Sequence, residues 1–342
     1  MIPQEVFEQS ILRYFDPIRP FLEDDEISDT VDDLKGGVKQ IAQYVDKPLD
    51  ELHPRMDARL PDGSRVHVVL PPCSREGITV AIRQFGEFTL TMDKLIDWGS
   101  VSPDAAAFLE ACVRLKKNIV VAGGTGSGKT SLLNVLSAQI PPQERILVIE
   151  DSSELQFQQP HVVMMEARKP DAKGRGEVTI GDLFHSAMRL RPDRVVIGEV
   201  RGKEALSMLQ AMTTGHSGSM TTTHATYPDD TLRRLETMAM MSDMEMPLHA
   251  LRSQVASAVE LIVQQSRFND GSRKITDIVE VLDLEEGGEY QTRPLFKFNH
   301  RGEDRDGTVL GDLEPLGNQP TFLDQAESKG IEMRPSWFQP NR

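Results

Sequence analysis

One stretch constrains this chain more than any other: Gly123-Gly124-Thr125-Gly126-Ser127-Gly128-Lys129-Thr130, between the apolar run Ile119 to Ala122 and the helical pattern Ser131-Leu132-Leu133-Asn134-Val135-Leu136. A glycine-rich turn from strand to helix points successive backbone N–H groups inward, and the helix N-terminus adds partial positive charge. Phosphates fit such a cradle. Lys129 is placed to reach the β- and γ-phosphates of a nucleotide such as ATP, and the Thr130 hydroxyl to ligate Mg²⁺. The alternative is a merely flexible loop, which the strand before and the helix after speak against.

The surroundings support an α/β fold. From Asn118 onward, short apolar strands alternate with amphipathic helices, the pattern of a parallel sheet covered on both faces. The expected strands are Ile119 to Ala122, Ile146 to Ile149, Val162 to Met165, Val195 to Ile197 and Ser219 to Thr222. Ile180, Leu183, Phe184, Ala187 and Leu190 repeat at helical spacing, as do Leu232, Leu235, Met238 and Met241, so both sets are expected to face the core. Leu261 to Gln264 is followed by hairpin-like runs, Lys274 to Leu284 and Tyr290 to Phe298, around Glu286-Gly287-Gly288. Beyond Asn299, Gly, Pro and charge predict an irregular tail.

A boundary is expected near Ser100-Val101-Ser102-Pro103, before a helix from Ala105 to Leu115. Residues 1–100 then read as a smaller α+β domain, with a helix over Val38 to Tyr44 and strands over Arg65 to Leu70 and Ile78 to Arg83. Residues 101–342 read as the α/β domain with a C-terminal hairpin.

Two further acidic positions follow expected strands. Glu150, Asp151 and Glu154 lie where α/β sheets bind ligands, at the carboxyl end of a strand, although solvated surface acids are an alternative. Arg194-Val195-Val196-Ile197-Gly198-Glu199 reads as a Walker B strand whose carboxylate orients water or supports Mg²⁺ from the second shell. His216 and His224 flank a short strand with neighbouring hydroxyls. Sensing the γ-phosphate suits them, packing is an alternative, and no HExxH or paired cysteines favour a metal. Five methionines between Met238 and Met246 read chiefly as helix packing, with a partner-facing patch as the second reading.

Composition narrows the classes. The 342 residues suffice for two domains, and 53 acidic against 38 basic residues leave a net charge of -15, which disfavours nucleic acid as a partner. The longest apolar run, Ala105 to Leu109, is far short of the roughly 20 residues of a membrane span, so no direct membrane insertion is expected. Met1 to Pro20 shows no basic start followed by an apolar stretch, so no secretory leader is expected and the chain is assigned to the cytoplasm. Cys73 and Cys112 lack paired spacing and read as small buried hydrophobes.

In this order the motifs resemble the type II/type IV secretion ATPase superfamily, in wording nearest the CpaF-like motors of tight-adherence (Tad/Flp) pili. The resemblance runs from about His53 to the end. Besides the glycine-rich loop, it rests on His53 to Val66, Gly77 to Arg83, Met188 to Gly202 and Ser219 to Ala225. It implies a RecA-like P-loop ATPase domain preceded by the smaller α+β domain. Glu150 to Glu154 match the family's Asp box, Arg194 to Glu199 its Walker B element, and His216 to His224 its His box. Glu154, Glu199, Lys129 and His224 are thereby implied in catalysis, and Gly123 to Ser131 with His216 in nucleotide binding. Arg65 and Arg83, by themselves ordinary strand arginines, match residues that approach the phosphates from the N-terminal domain. The family further implies a homohexamer, peripheral at the inner membrane through pilus platform proteins. It also leads one to expect more strands between Glu26-Ile27-Ser28-Asp29 and Val38-Lys39-Gln40-Ile41 than Thr30 to Gly37 has room for.

Two other functions remain open on sequence. A DNA-translocating P-loop motor needs a positively charged channel, and DNA-stimulated turnover would mark it. A nucleotide-gated scaffold would bind ATP without turning it over, which the presence of Lys129, Thr130, Glu154, Glu199 and His224 disfavours.

Overall fold

The computed structural model describes residues 31–83, 90–170, 173–242, 244 and 246–340, in two compact units, Met1–Phe88 and Thr89–Arg342. The expectations for Met1 to Pro20 and for Glu26 to Asp29 lie outside the described residues.

In the first unit, helix α1 (Val31–Tyr44) covers one face of an antiparallel sheet of β1 (Arg55–Arg59), β2 (Arg65–Val69) and β3 (Thr79–Arg83). Side chains alternate across a strand, so Met56, Ala58, Val66 and Val68 all point to the helix and meet Val38, Ile41 and Ala42. The charged residues between them face outward. Residues 31–37, where the resemblance implied room for strands, form the start of α1.

The division falls after Phe88, earlier than the expected 100/101. Helix α2 (Met92–Asp97) belongs to the second unit because the segment after it is hydrogen-bonded into that unit's sheet. Ser100 Oγ donates to the Arg273 carbonyl at 2.7 Å, the Ile275 amide to Ser100 O at 2.9 Å, and Lys274 Nζ to Gly99 O at 3.2 Å.

The second unit opens with α3 (Pro103–Arg114) and continues through β4 (Ile119–Gly123), α4 (Lys129–Ser137), β5 (Ile146–Glu150), β6 (Val162–Glu166), α5 (Ile180–Met188) and β7 (Arg194–Ile197). It proceeds through α6 (Glu204–Thr213), β8 (Met220–His224), α7 (Pro228–Ala239), α8 (Leu248–Ala258), β9 (Leu261–Arg267), β10 (Arg273–Val281), β11 (Thr292–Glu303) and β12 (Val309–Pro315). One sheet holds all these strands, in the order β12-β11-β10-β9-β4-β8-β7-β5-β6. From β9 to β6 neighbours are parallel, and β10 to β12 extend the sheet by antiparallel pairing. Strands β4, β5 and β7 are buried throughout, as their unbroken apolar runs require when both faces are covered.

Three expectations are corrected. The chain beyond Asn299 is ordered by an aromatic cluster: Phe338 meets Phe108 edge-on at 5.2 Å, while Phe296 and Phe322 lie 5.8 and 6.2 Å from the same ring. Buried Glu280 accepts from the Thr321 amide at 2.9 Å and from its hydroxyl, fixing the start of the final helix α9 (Leu323–Ser328). Helix α7 stops at Ala239, so Met238 is buried but Met241 is exposed, as is Leu190 beyond the end of α5. Cys112 is buried in α3, whereas Cys73 is exposed.

Candidate nucleotide site

The glycine-rich loop leaves the carboxyl end of β4, and α4 begins at Lys129. Gly128, with φ of +94°, makes the turn into the helix in the left-handed region that a side chain would strain. At Gly123 a Cβ would stand 2.3 Å from the Gln265 carbonyl, so only glycine lets the loop start this close to β9. Gly124, Thr125 and Gly126 form the exposed crown, and buried Ser127 donates through Oγ to Gly124 O at 2.9 Å. Thr130 and Ser131 sit half-buried on the first turn of α4.

Lys129 is buried beneath the crown. Its Nζ donates to Gly124 O at 2.9 Å and lies 3.4 Å from His224 Nδ1. Parallel pairing sets Gly123 level with His224, which is why the end of β8 reaches the loop. His224 Nε2 lies 3.1 Å from Glu199 Oε1, at ion-pair distance. The other Glu199 oxygen accepts from Arg201 Nη2 at 2.7 Å, and Arg201 Nη1 stands 3.8 Å from Asp151. A continuous chain of groups therefore runs from Lys129 through His224 and Glu199 to Arg201, across the carboxyl ends of β4, β8 and β7.

Their electrostatics follow from half-burial among charges. Burial pushes the Lys129 pKa down, with Glu199 opposing. Burial and the Lys129 charge lower His224, favouring the neutral imidazole; Nδ1 accepting from Lys129 places its proton on Nε2, facing Glu199. Burial raises Glu199, but the Arg201 hydrogen bond and the charges of Arg201 and Lys129 outweigh it and hold the carboxyl below its ordinary value. The group beside the loop is a carboxylate.

Glu150 does not face the loop as part of an acidic cluster; it is a buried support. Its Oε1 accepts from the amides of Glu154 and Leu155 at 2.9 and 3.0 Å, tying down the turn that carries Glu154. Burial pushes its pKa up to about 7 despite those donors. Glu154 lies within the field of Arg201, whose pKa it helps to raise.

The single chain does not bring His216 to the loop. It precedes β8, at the amino-terminal edge of the sheet, a full strand length from His224. Arg65 and Arg83 belong to the first unit, at cross-strand partner positions on β2 and β3, with Arg59 opposite Arg65 on β1. Arg201, to which sequence reasoning assigned no role, was signalled only by its place two residues after Glu199. The arginines of the β9–β10 hairpin carried no signal at all, since they reach the loop only through sheet pairing.

The residues fit Mg²⁺ brought with a nucleotide. The Thr130 hydroxyl makes no hydrogen bond to any described residue, and Mg²⁺ favours few protein oxygens together with phosphates and water. Among the described residues no cluster of three or more His, Cys, Asp or Glu suffices to hold a metal alone.

A family model described as type II/IV secretion system protein matches residues 28–278. The chain belongs to this family. A putative conjugal transfer protein of Mycobacterium tuberculosis is 34% identical to this secretion-family protein over 281 residues, covering 80% of this chain and 78% of the other. The type IV secretion system protein PtlH of Bordetella pertussis is 33% identical over 276 residues, covering 73% and 81%. Among solved structures, the ATPase DotB of Legionella pneumophila matches with a TM-score of 0.52 at 20% identity, covering 76% of this chain and 70% of that one. The pilus retraction motor PilT with bound ADP matches with a TM-score of 0.50 at 20% identity, covering 89% and 78%. The α/β unit of this secretion-family protein thus has the RecA-like ATPase fold. Among the described residues no helix is long and apolar enough to cross a membrane.

Proposed function

We propose that this protein binds ATP with Mg²⁺ on residues 123–131 and hydrolyses it to ADP and phosphate, as a motor for a secretion or pilus machine. The observation that carries this reading is the contact chain Lys129–His224–Glu199–Arg201 at the rim of the loop. Lys129 meets the β- and γ-phosphates, and the Thr130 hydroxyl holds the metal, which supplies further charge neutralisation when bound. Glu199, kept ionised by Arg201, orients the attacking water and draws its proton. Neutral His224 stands between Glu199 and Lys129, where its Nε2 proton can turn to a terminal phosphate oxygen. Glu154, held by Glu150, adds a carboxylate on the same rim.

The finer reading is a homohexamer at the inner membrane, peripheral through platform proteins, assembling a Tad/type IV-like fibre. Arg65 and Arg83 then close the first unit on bound nucleotide. The family membership and the likeness of the loop and strand-end motifs support it.

The test separates binding from turnover. Glu199→Gln is expected to retain ATP binding and lose at least about a hundredfold in turnover, since the shape persists while the charge acting on water is lost. Lys129→Ala is expected to abolish hydrolysis with the fold intact by circular dichroism. Wild-type turnover in either variant would overturn the assignment.

A further inference from the structure

The β9–β10 hairpin carries Arg267 and Arg273 at cross-strand partner positions beside the loop. Arg273 Nε donates to Gly126 O at 3.0 Å, and a Cβ on Gly128 would meet Arg273 Cδ at 3.0 Å. A Cβ on Gly126 would lie 3.8 Å from Arg267 Nη1. Both guanidinium groups therefore stand against the crown that the phosphates must approach.

Their pairing is unfavourable in isolation, because like charges opposite one another on adjacent strands repel. Carboxylates are abundant, with 53 acidic residues in the chain. Yet among the described residues neither arginine has a carboxylate at ion-pairing distance, and the Arg267 side chain makes no hydrogen bond to any of them. Nearby, Gln265 is only 3% exposed, its Nε2 lies 3.4 Å from where a Gly128 Cβ would be, and its Oε1 has no hydrogen-bond partner among the described residues. A buried acceptor left without a donor costs about 1–3 kcal/mol. A ribose hydroxyl can donate to such an oxygen, and the two exposed guanidinium groups beside it can hold a phosphate oxygen, so the place suits the ribose and phosphate of a nucleotide.

The side on which they stand says which part of a nucleotide they meet. Strand β4 lies between β8 and β9, and Gly123 is level with His224 on one side and with Gln265 on the other. The reacting phosphate belongs on the His224 and Glu199 side. A nucleotide laid across the loop with its terminal phosphate there carries its nucleoside end toward the hairpin. Resting on the nucleotide reading above, we propose that Arg267 and Arg273 grip the α-phosphate and ribose of bound nucleotide, leaving the β- and γ-phosphates to the loop and Lys129. A guanidinium suits this position because it stays charged when desolvated and its planar fork matches phosphate oxygens. Arg273 also holds the crown in place through Gly126 O.

The experiment measures calorimetric binding of Mg-ATP, Mg-ADP and Mg-pyrophosphate to the full chain, wild type against Arg267→Gln. The Arg267 side chain is exposed and makes no hydrogen bond to described residues, so the substitution leaves the fold unburdened. ATP and ADP are expected to weaken by the same factor, about tenfold, the equivalent of one charge-assisted hydrogen bond. Pyrophosphate, filling only the β/γ cradle, keeps its affinity. Loss for ATP without loss for ADP would move the arginine to the γ-phosphate and overturn the proposal. Equal loss for all three would make it a support of the loop, and no loss for any would make it a bystander; both overturn it. Arg273→Gln is expected to show the same nucleotide loss with a smaller loss for pyrophosphate, because the Gly126 contact goes too. A wild-type chain that binds none of the three probes would instead remove the nucleotide reading itself.

Discussion

At the scale of single residues, two carboxylates with opposite environments divide the work of the site. Glu150 is buried and pushed up to about 7, from an ordinary 4.5. Between those values the folded protein holds a proton that the unfolded chain has released, so native stability falls as pH rises through the window. Glu150→Gln keeps an acceptor for the Glu154 and Leu155 amides but cannot titrate. Thermal unfolding at pH 5 and pH 8 should show the wild-type midpoint dropping relative to the variant, and parallel midpoints would refute the account. Glu199 is held down, chiefly by Arg201 against the effect of burial. Arg201→Ala should lower turnover at neutral pH by about tenfold, the scale of one charge-assisted hydrogen bond, and move the acid limb of the pH–rate profile upward. An unmoved acid limb would separate Arg201 from Glu199 ionisation.

At the scale of elements, strong periodicity was legible and weak periodicity was not. The strands β4, β5 and β7 lie where unbroken apolar runs put them, because a strand covered on both faces favours apolar residues throughout, and the edge strand β6 lies at its own apolar run although it is only half-buried. Strand β1 was missed: Arg55-Met56-Asp57-Ala58-Arg59 alternates correctly, but without β-branched residues its tendency to extend is supplied by pairing with β2. The C-terminal segment was missed for a related reason. Phe108, Phe296, Phe322 and Phe338 have no common period, and they are a cluster only after the chain has folded. Phe338 is 1% exposed, so Phe338→Ala should cost about 3–5 kcal/mol in urea unfolding. A loss under 1 kcal/mol would make the last turn an appendage.

At the scale of the whole molecule, Arg65 and Arg83 are the link between units under the proposed function. If they close on nucleotide, the Arg65→Ala, Arg83→Ala double variant should lose turnover and blunt the compaction that an ATP analogue produces in small-angle scattering. Unchanged turnover and unchanged compaction would leave both as surface residues. The glycine-rich loop, its lysine and threonine, and the strand-end glutamate are legible as local patterns in the sequence, whereas the two histidines could not be told apart there. Backbone chirality, N–H direction and strand ends act over a few residues, so a short motif carries its own geometry. Tertiary structure alone decided the rest. Sheet order set His224 level with Gly123 and left His216 at the far edge. It also laid Arg267 and Arg273 on a loop more than 130 residues earlier in the chain. Those placements depend on which strands pair and in what register, and register is set by burial across the whole sheet rather than by any one segment.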